Sequence, residues 1–339
     1  MNGKSSEIIV SVIIPTFNKA DYLDLTLRSF EYQRCNFNYE IVIVNDGSTD
    51  HTKQIVESFL DKLRITYIEQ SNKGRSAARN VAIENAKGEI ILFNDDDRIV
   101  TPQFLNEHIK IHDKPNIVAL GWKGNILTFA ERDLNIRTNH LYDLLKKNNK
   151  LVEIDLFPEK LTKIIDDQLL DFENESIYQY IVHDAPDNFL EFYEEFGKDL
   201  DGFHFKWLLG TTANMSVRRE FLDEVGYFDE NYKGWGMEDT DLVYRLQKNK
   251  GTIKINKHAI NYHQYHKRNS TDESISLKRN ILYFCDKYKN LESFLFLRWS
   301  MRKIDIKTAN EILRISKEDS RIMDELVDTY STFAERKWR

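Results

Sequence analysis

Two stretches decide the fold of this chain, YEIVIVNDGSTDHT at residues 39–52 and GEIILFNDDD at residues 88–97. Each begins with a run of apolar residues, as in strands buried on both faces, and passes directly into a polar turn. In sheets built from such strands, ligands bind beyond the carboxyl ends. The sequence therefore predicts an α/β sheet with a binding site at the edge where the strands end.

The flanking segments continue the same alternation. Further strands are predicted by apolar runs at 8–14 and 65–68. Helices are predicted by apolar residues at helical spacing over 20–33, 52–63 and 76–86. Gly88 is interpreted as a helix C-terminal residue. This βαβαβαβ order predicts a mostly parallel, doubly wound sheet with flanking helices.

The rest of the chain is predicted to be organised around this sheet. We assign 1–124 to a nucleotide-binding half, 125–206 to a helical insert and 207–272 to an acceptor and catalytic half, so that 1–272 forms the catalytic domain. Within it, helices are expected over 140–150, 159–170, 187–197 and 240–247. Residues 273–339 are predicted to be a helical extension with amphipathic stretches over 275–297 and 308–334. Its mildly basic composition suggests contact with a membrane surface or a second copy, separate from the catalytic core, with packing against the catalytic domain as the alternative.

Composition excludes several classes of protein. The 339 residues carry a net charge of −7, with a pI near 5.8, which disfavours a dedicated nucleic-acid binder. The two cysteines, Cys35 and Cys285, allow neither a disulfide framework nor zinc spacing, which favours a reducing compartment. No window approaches the roughly 18 apolar residues of a membrane span, and no signal-peptide pattern is present. We therefore expect a cytoplasmic protein, peripheral at most to the cytoplasmic membrane face.

Polar residues that follow the strands are candidates for nucleotide and metal binding. The carboxylates of 95–97 suit a divalent cation held against a diphosphate, with a polar turn as the alternative. Asp46 can accept the imide N–H of uracil, or simply shape a turn and helix cap. Phe17 can stack on a base, or be a core residue. Basic residues in 72–75 and at Arg79 flank a helix start, which favours a phosphate over a plain surface loop.

A second group of candidates lies in GWGMED at residues 234–239. Two glycines around Trp235 allow close backbone approach, and Glu238 or Asp239 beside a sugar-binding Trp is a natural general base. The alternative is a helix N-terminus that favours acidic residues. His263 and His266 are three residues apart and can share a helix face or a metal, although histidines are more often structural.

Together these blocks resemble the family 2 glycosyltransferases of the GT-A fold. The match covers residues 10–104, through SVIIPTFNKADYL, YEIVIVNDGSTDHT and NKGRSAARNVAIENAKGEIILFNDDD. It implies a UDP-sugar donor, with Asp95 and Asp97 forming a DxD element that binds metal. The residues assigned on this basis to the donor are Pro15, Thr16, Phe17, Asn18, Asp46, Asn72, Lys73, Gly74, Arg79, Asp95 and Asp96.

Residues 207–266 are similar to the catalytic half of chondroitin-polymerase-type enzymes and β-1,4-galactosyltransferases. The resemblance implies that Asp239 is the catalytic base and that His263 completes a Mn²⁺ or Mg²⁺ site with Asp97. Glu238 is assigned to an acceptor hydroxyl. Trp235, together with Asn214, is assigned to the sugars. Retaining polypeptide N-acetylgalactosaminyltransferases typically carry Glu-Asn in place of this Glu-Asp pair, so the resemblance favours inversion.

The expected activity is metal-dependent, inverting transfer of a hexose or N-acetylhexosamine from a UDP-sugar. The acceptor, in polysaccharide biosynthesis or elsewhere, is a glycan, a lipid-linked glycan or a protein, because residues 125–205 and 275–339 match nothing that specifies it. Alternatives are a retaining transferase and an inert nucleotide-sugar-binding subunit of a larger synthase. A sugar-nucleotide pyrophosphorylase would need a glycine-rich phosphate loop near the first strand, and TFNKADY at residues 16–22 is not one.

Overall fold

A computed structural model describes residues 7–131, 134, 142–143, 146, 160–165, 176–182, 188–267 and 270–318. Its centre is an eight-stranded sheet in the order β3-β2-β1-β4-β9-β6-β10-β5. The strands of this sheet are β1 (Ile8–Thr16), β2 (Asn38–Asn45), β3 (Ile65–Glu69), β4 (Ile90–Asn94), β5 (Arg98–Val100), β6 (Ile117–Ile126), β9 (Asn214–Arg218) and β10 (Thr252–Gln264). A separate pair joins β7 (Phe129–Ala130) to β8 (Thr162–Lys163).

All strands of the large sheet except β5 and β9 run in one direction. The prediction of a mostly parallel α/β sheet is therefore confirmed. Strand β9 lies antiparallel between β4 and β6, and β5 runs antiparallel to the end of β10. These two reversed strands bring the two halves of the chain into one sheet, which periodicity alone did not predict.

Ten helices lie in the described ranges. They are α1 (Ala20–Glu31), α2 (Thr52–Glu57), α3 (Arg75–Asn85), α4 (Phe104–Ile111), α5 (Asn188–Phe196), α6 (Arg219–Val225), α7 (Glu238–Lys248), α8 (Ser270–Tyr288), α9 (Leu291–Ser300) and α10 (Ile306–Glu318). The helix predicted over 159–170 is wrong where residues are described, because Thr162–Lys163 pairs with Phe129–Ala130 as a strand. Most of 140–150, and all of 319–339, lie outside the described residues.

Gly88 has a role other than ending a helix. Helix α3 already ends at Asn85, and Gly88 does not have positive φ. A Cβ at this position would lie 2.5 Å from the backbone nitrogen of Ser11. The residue is therefore glycine because the loop before β4 passes directly against β1.

The C-terminal helices pack into the main core. Phe284 of α8, Phe296 of α9 and Leu313 of α10 are buried in the same apolar cluster as β4, β9 and α7. Trp207 stacks on Phe284 with ring centroids 5.2 Å apart. The expectation that this region stands apart from the catalytic core is therefore wrong for α8–α10, because their apolar faces complete that core. None of the helices in the described ranges is long and apolar enough to span a membrane.

Candidate active site

A cleft of about 780 Å³ opens at the carboxyl ends of the parallel strands. Most residues predicted from sequence for donor or metal binding line it. These are Pro15, Thr16, Phe17, Asp46, Asn72, Gly74, Arg79, Asp95, Asp96, Asp97, Trp235 and His263. Asn18, Lys73, Glu238 and Asp239 are not among its lining residues. The sheet therefore gathers residues from both halves of the chain at one edge, as expected for this topology.

Strand pairing builds a cluster of metal-ligating side chains. Because β5 runs antiparallel to β10, Arg98 pairs with His263, and the Gln264 N–H donates to the Asp97 carbonyl at 2.9 Å. The Asp97 Oδ2 atom lies 2.9 Å from His266 Nε2 and 3.7 Å from His263 Nε2. One candidate ligand atom from each of these three residues lies within 4.8 Å of the others.

This cluster contains the predicted pair of Asp97 and His263 and adds a third residue, His266. His266 lies just beyond β10, so the two histidines share a strand end and not a helix face. Burial would raise the pKa of Asp97, but His263 and hydrogen bonds from both histidines hold it well below the usual value. Burial and the Asp97 charge raise the pKa of the neighbouring Asp96 to about 7. An anionic Asp97 beside two imidazoles has the chemistry of a divalent-cation site.

Asp46 holds the loop that follows β3. Its Oδ1 accepts from the Gln70 side chain at 2.7 Å and from the Lys73 N–H at 2.8 Å. Its Oδ2 accepts from the Gly74 N–H at 2.8 Å. The carboxylate thus fixes the backbone that leads into α3, and it retains lone-pair capacity for one more donor.

Phe17 and Asn18 follow β1 at the same edge. The Phe17 side chain is exposed at 46% beside the cleft, so the alternative that it is a core residue is wrong. Asn18 is bound to the turn after β2, since its N–H donates to Ser48 Oγ and its Oδ1 accepts from the Thr49 N–H. An accessible ring above a fixed turn can stack on a nucleotide base.

Arg79 connects the two groups of carboxylates. It is 4% exposed, and its guanidinium donates to Glu238 Oε1 at 3.2 Å and to Asp95 Oδ1 at 3.3 Å. The predicted phosphate contact would have to compete with these two bonds. Arg75, one turn earlier on α3, lines the same cleft with a side chain that is 44% exposed. It is the more accessible cation for a phosphate. The sequence pattern included it in the basic stretch 72–75, but the resemblance assigned Arg79 and not Arg75 to the donor.

The Glu238-Asp239 pair opens α7. The helix begins at Glu238, two residues before the predicted start, because Met237 takes a left-handed conformation as its N-cap. Glu238 is 3% exposed, and its Oε2 has no hydrogen-bond partner among the described residues. Asp239 is half-buried and accepts from the Thr212 N–H at 3.3 Å. Burial and the Glu238 charge raise its pKa to about 6.

Two other polar residues are structural. Asp241 is fully buried and binds Tyr232, Arg245, Lys287 and Tyr288, so its side chain serves the fold.

Asn214, assigned earlier to the sugars, is 1% exposed and donates to the carbonyls of Trp122 and Ala259. The sugar assignment of Asn214 is therefore wrong, because its amide is used inside the sheet.

One wall of the cleft was missed altogether. Helix α8 contributes several lining residues, spaced along one helix face as in neighbouring turns. They are Asp272, Glu273, Ile275, Ser276 and Arg279. The available signal was this spacing, but the helix had been assigned to a separate extension.

Comparison with known proteins identifies similar sequences. Residues 11–168 match the profile of glycosyl transferase family 2, and residues 200–267 match the N-terminal domain of galactosyltransferase. An uncharacterized glycosyltransferase, YfnE of Bacillus subtilis, is 32% identical over 289 residues, which cover 84% of this chain and 71% of that protein. Chondroitin synthase of Escherichia coli is 26% identical over 89% of this chain and 42% of its own length.

The solved structures support the fold. S. aureus TarS 1-349 in complex with UDP-GlcNAc matches with a TM-score of 0.55 at 20% identity. The match covers 95% of this chain and 80% of that one. At this level of identity the likeness establishes a shared GT-A architecture.

Proposed function

This chain belongs to glycosyl transferase family 2 and is a glycosyltransferase, and on that premise we propose that it uses a UDP-sugar and a divalent cation and inverts the anomeric carbon. One observation carries the proposal. The buried Arg79 guanidinium ties Asp95, next to the metal-ligating cluster, to Glu238, next to the candidate base. One buried side chain thereby connects the proposed donor side to the proposed acceptor side.

The metal part of the proposal depends on the ligand set of Asp97, His263 and His266. One carboxylate and two imidazoles fit Mn²⁺ better than Mg²⁺, which prefers oxygen ligands. A cation at these residues would supply positive charge against the diphosphate as it leaves. The chain's own part is to hold the three ligand atoms together, through pairing of β5 with β10.

On the donor side, Phe17 is proposed to stack on uracil, and Asp46 to accept its imide N–H with its remaining lone pair. Asn72 and Arg75 are accessible beside them and suit the diphosphate. The crystallised relative with UDP-GlcNAc supports a uridine nucleotide as the first probe. The transferred unit is proposed to be a hexose or N-acetylhexosamine.

On the acceptor side, Asp239 is proposed to take the proton from the attacking hydroxyl. A pKa of about 6 leaves it mainly ionised at pH 7, yet more basic than an ordinary aspartate. Trp235 and Glu238 are proposed to bind the sugars. The acceptor is proposed to be a glycan, a lipid-linked glycan or a protein, and the similarity to a chondroitin synthase supports the first of these.

A ligand screen tests the proposal. UDP together with Mn²⁺ should raise the melting temperature more than either alone, and EDTA should remove that gain. Equal UDP stabilisation in EDTA would reject the metal. Release of UDP from one of a panel of UDP-sugars should then be detectable, and stabilisation without any release would favour the inert subunit. Proton NMR of the released sugar should record β configuration from an α-linked donor, whereas α configuration would indicate retention.

A further inference from the structure

Helix α8 supports the loop that carries Trp235. This loop, residues 233–237, contains three residues with positive φ, which prevents regular strand pairing. They are Gly234, Gly236 and Met237. Its carbonyl groups therefore need partners from elsewhere in the protein. The face of α8 that meets the loop provides them.

Asn280 is the centre of this contact. Its side chain is buried at 1% exposure, and its amide nitrogen lies within hydrogen-bonding distance of three loop carbonyls. The distances are 2.8 Å to Gly236, 3.1 Å to Lys233 and 3.4 Å to Trp235. One turn earlier, Ser276 Oγ accepts the Trp235 N–H at 3.2 Å. The backbone of Trp235 is thus held on both its donor and its acceptor side.

The fit between loop and helix leaves no spare room. A Cβ on Gly234 would lie 2.8 Å from the Cβ of Ser276, and one on Gly236 would lie 2.8 Å from Leu277 Cδ1. Both glycines also have positive φ, which side chains rarely adopt. The loop is therefore shaped to lie against α8, and a shift of the helix surface must be transmitted to it.

We propose that Asn280 is a positioning residue that sets Trp235 and the start of α7 for the reaction. Gly236, which receives its shortest bond, is two residues before Glu238 and three before Asp239. Asn280 does not line the cleft itself, so it acts through the loop. The link to turnover rests on the proposed function, whereas the link to Trp235 does not.

The test uses the full chain labelled with 5-fluorotryptophan, with the Trp235 signal assigned by Trp235→Phe. In Asn280→Ala the Trp235 ¹⁹F resonance should shift and broaden as the loop loses its partners. Hydrolysis of UDP-GlcNAc with Mn²⁺, or of whichever UDP-sugar the screen finds, should fall about 10- to 100-fold in kcat, because a displacement of about 1 Å at the reacting groups can cost about 100-fold. The KM for the UDP-sugar should change less than kcat, because the residues proposed to bind uracil and the diphosphate are not in contact with Asn280.

A matched control exists on α10. Asn310 is also buried, at 9% exposure, and its side chain likewise binds a loop, donating to the Gly202 carbonyl and accepting from the His204 N–H. That loop is not part of the cleft lining. Asn310→Ala should lower the melting temperature while the Trp235 resonance and kcat stay near wild type.

The outcomes separate the two proposals. An unchanged Trp235 resonance in a folded Asn280→Ala protein would overturn the positioning role, as would an equal loss of kcat in Asn310→Ala. If Asn280→Ala does not fold, Ser276→Ala must move the same resonance, because it removes the acceptor of the Trp235 N–H along with bonds inside α8 itself. Failure to do so rejects the proposal. Absence of hydrolysis in the wild type would count against the enzyme function alone, since the resonance test still stands.

Discussion

Two loops border the cleft, and each is held by the hydrogen bonds of one planar side chain. The side chain on the donor side accepts these bonds, whereas the one on the acceptor side donates them. On the donor side, the Asp46 carboxylate accepts from donors at residues 70, 73 and 74. On the acceptor side, the Asn280 amide nitrogen donates its two N–H groups among the carbonyls of residues 233, 235 and 236, which all lie within 3.4 Å. A carboxylate suits a loop that presents N–H groups, and an amide suits one that presents carbonyls.

The two sides are expected to fail in different ways. A change on the donor side should alter binding of the nucleotide, whereas a change on the acceptor side should alter turnover. Arg79 bridges the two sides through its ion pairs with Asp95 and Glu238. Each substitution is therefore expected to act mainly, but not exclusively, on its own side. Substitutions on each side and a pH profile test whether nucleotide binding and turnover respond separately.

Replacement of Asp239 by Asn should give the largest loss on the acceptor side. Removal of a positioned base typically costs about 100- to 10,000-fold, so hydrolysis or transfer should fall by that factor. UDP binding with Mn²⁺, measured by calorimetry, should stay within about twofold. Asp241→Asn is the control. It should lower stability, because Lys287 and Arg245 lose a charged partner, but it should cost much less turnover in folded protein. Near-normal turnover in Asp239→Asn would reject Asp239 as the base, and with it the main argument for inversion.

Loss of a metal ligand should act mainly on nucleotide binding. Asp97→Ala and His266→Ala are each expected to weaken Mn²⁺-dependent UDP binding by at least about 10-fold, as for other losses around a metal site. His258→Ala is the control, because this exposed histidine lies on the same strand, away from the cluster. If His266→Ala binds Mn²⁺ and UDP as tightly as His258→Ala, the site reduces to Asp97 and His263.

The pH profile should separate the sides further. The pKa of Asp239 is raised to about 6, and a base works only when ionised. Its ionised fraction is therefore present above pH 6 and lost as pH falls through that value. At saturating Mn²⁺, kcat/KM should decline about fivefold between pH 6 and pH 5. UDP binding with Mn²⁺, measured over the same range, records any loss of the donor complex itself. A decline that merely follows that binding curve would contradict the assignment to Asp239.

Replacement of Asp46 by Asn should have the smallest effect. It exchanges one accepting oxygen for a donor that faces backbone N–H groups, at an expected cost of about 1 kcal/mol. The melting temperature should fall by about 2 °C, with weaker UDP binding and unchanged kcat. The strand pairing of Thr16 in β1 and Asn45 in β2 should be unchanged. The exchange rates of their amide hydrogens therefore serve as an internal reference. A lower kcat with intact UDP binding would break the division between the sides.

The first hundred residues could be predicted well because their signals are local. Apolar runs identify buried strands, and the polar turns after them carry Phe17, Asp46 and Asp95–Asp97. Once the order of elements indicates a parallel sheet, these turns must share an edge. The α/β sheet and the position of most donor-side residues followed from sequence on this basis, whereas the GT-A architecture was implied by the resemblance to family 2.

Residue partners over long separations could not be predicted in the same way. Arg79 and Glu238 are 159 positions apart, and their ion pair exists only because β9 enters the sheet beside β4 and brings the second half of the chain across. The hydrogen bonds of Asn214 likewise depend on β9 lying beside β6. A pattern of residue types does not contain that strand order.

The sequence by itself determined the fold class, the edge of the sheet that forms the site and the residue types available there. The tertiary structure decided which side chains are free to act. Arg79 and Asn214 form hydrogen bonds within the protein. His266 joins Asp97 and His263 in the metal-ligating cluster, and α8 packs against the Trp235 loop. The physical reason is that burial and hydrogen-bond satisfaction are properties of the packed sheet and helices, and they are fixed only when distant strands take their register.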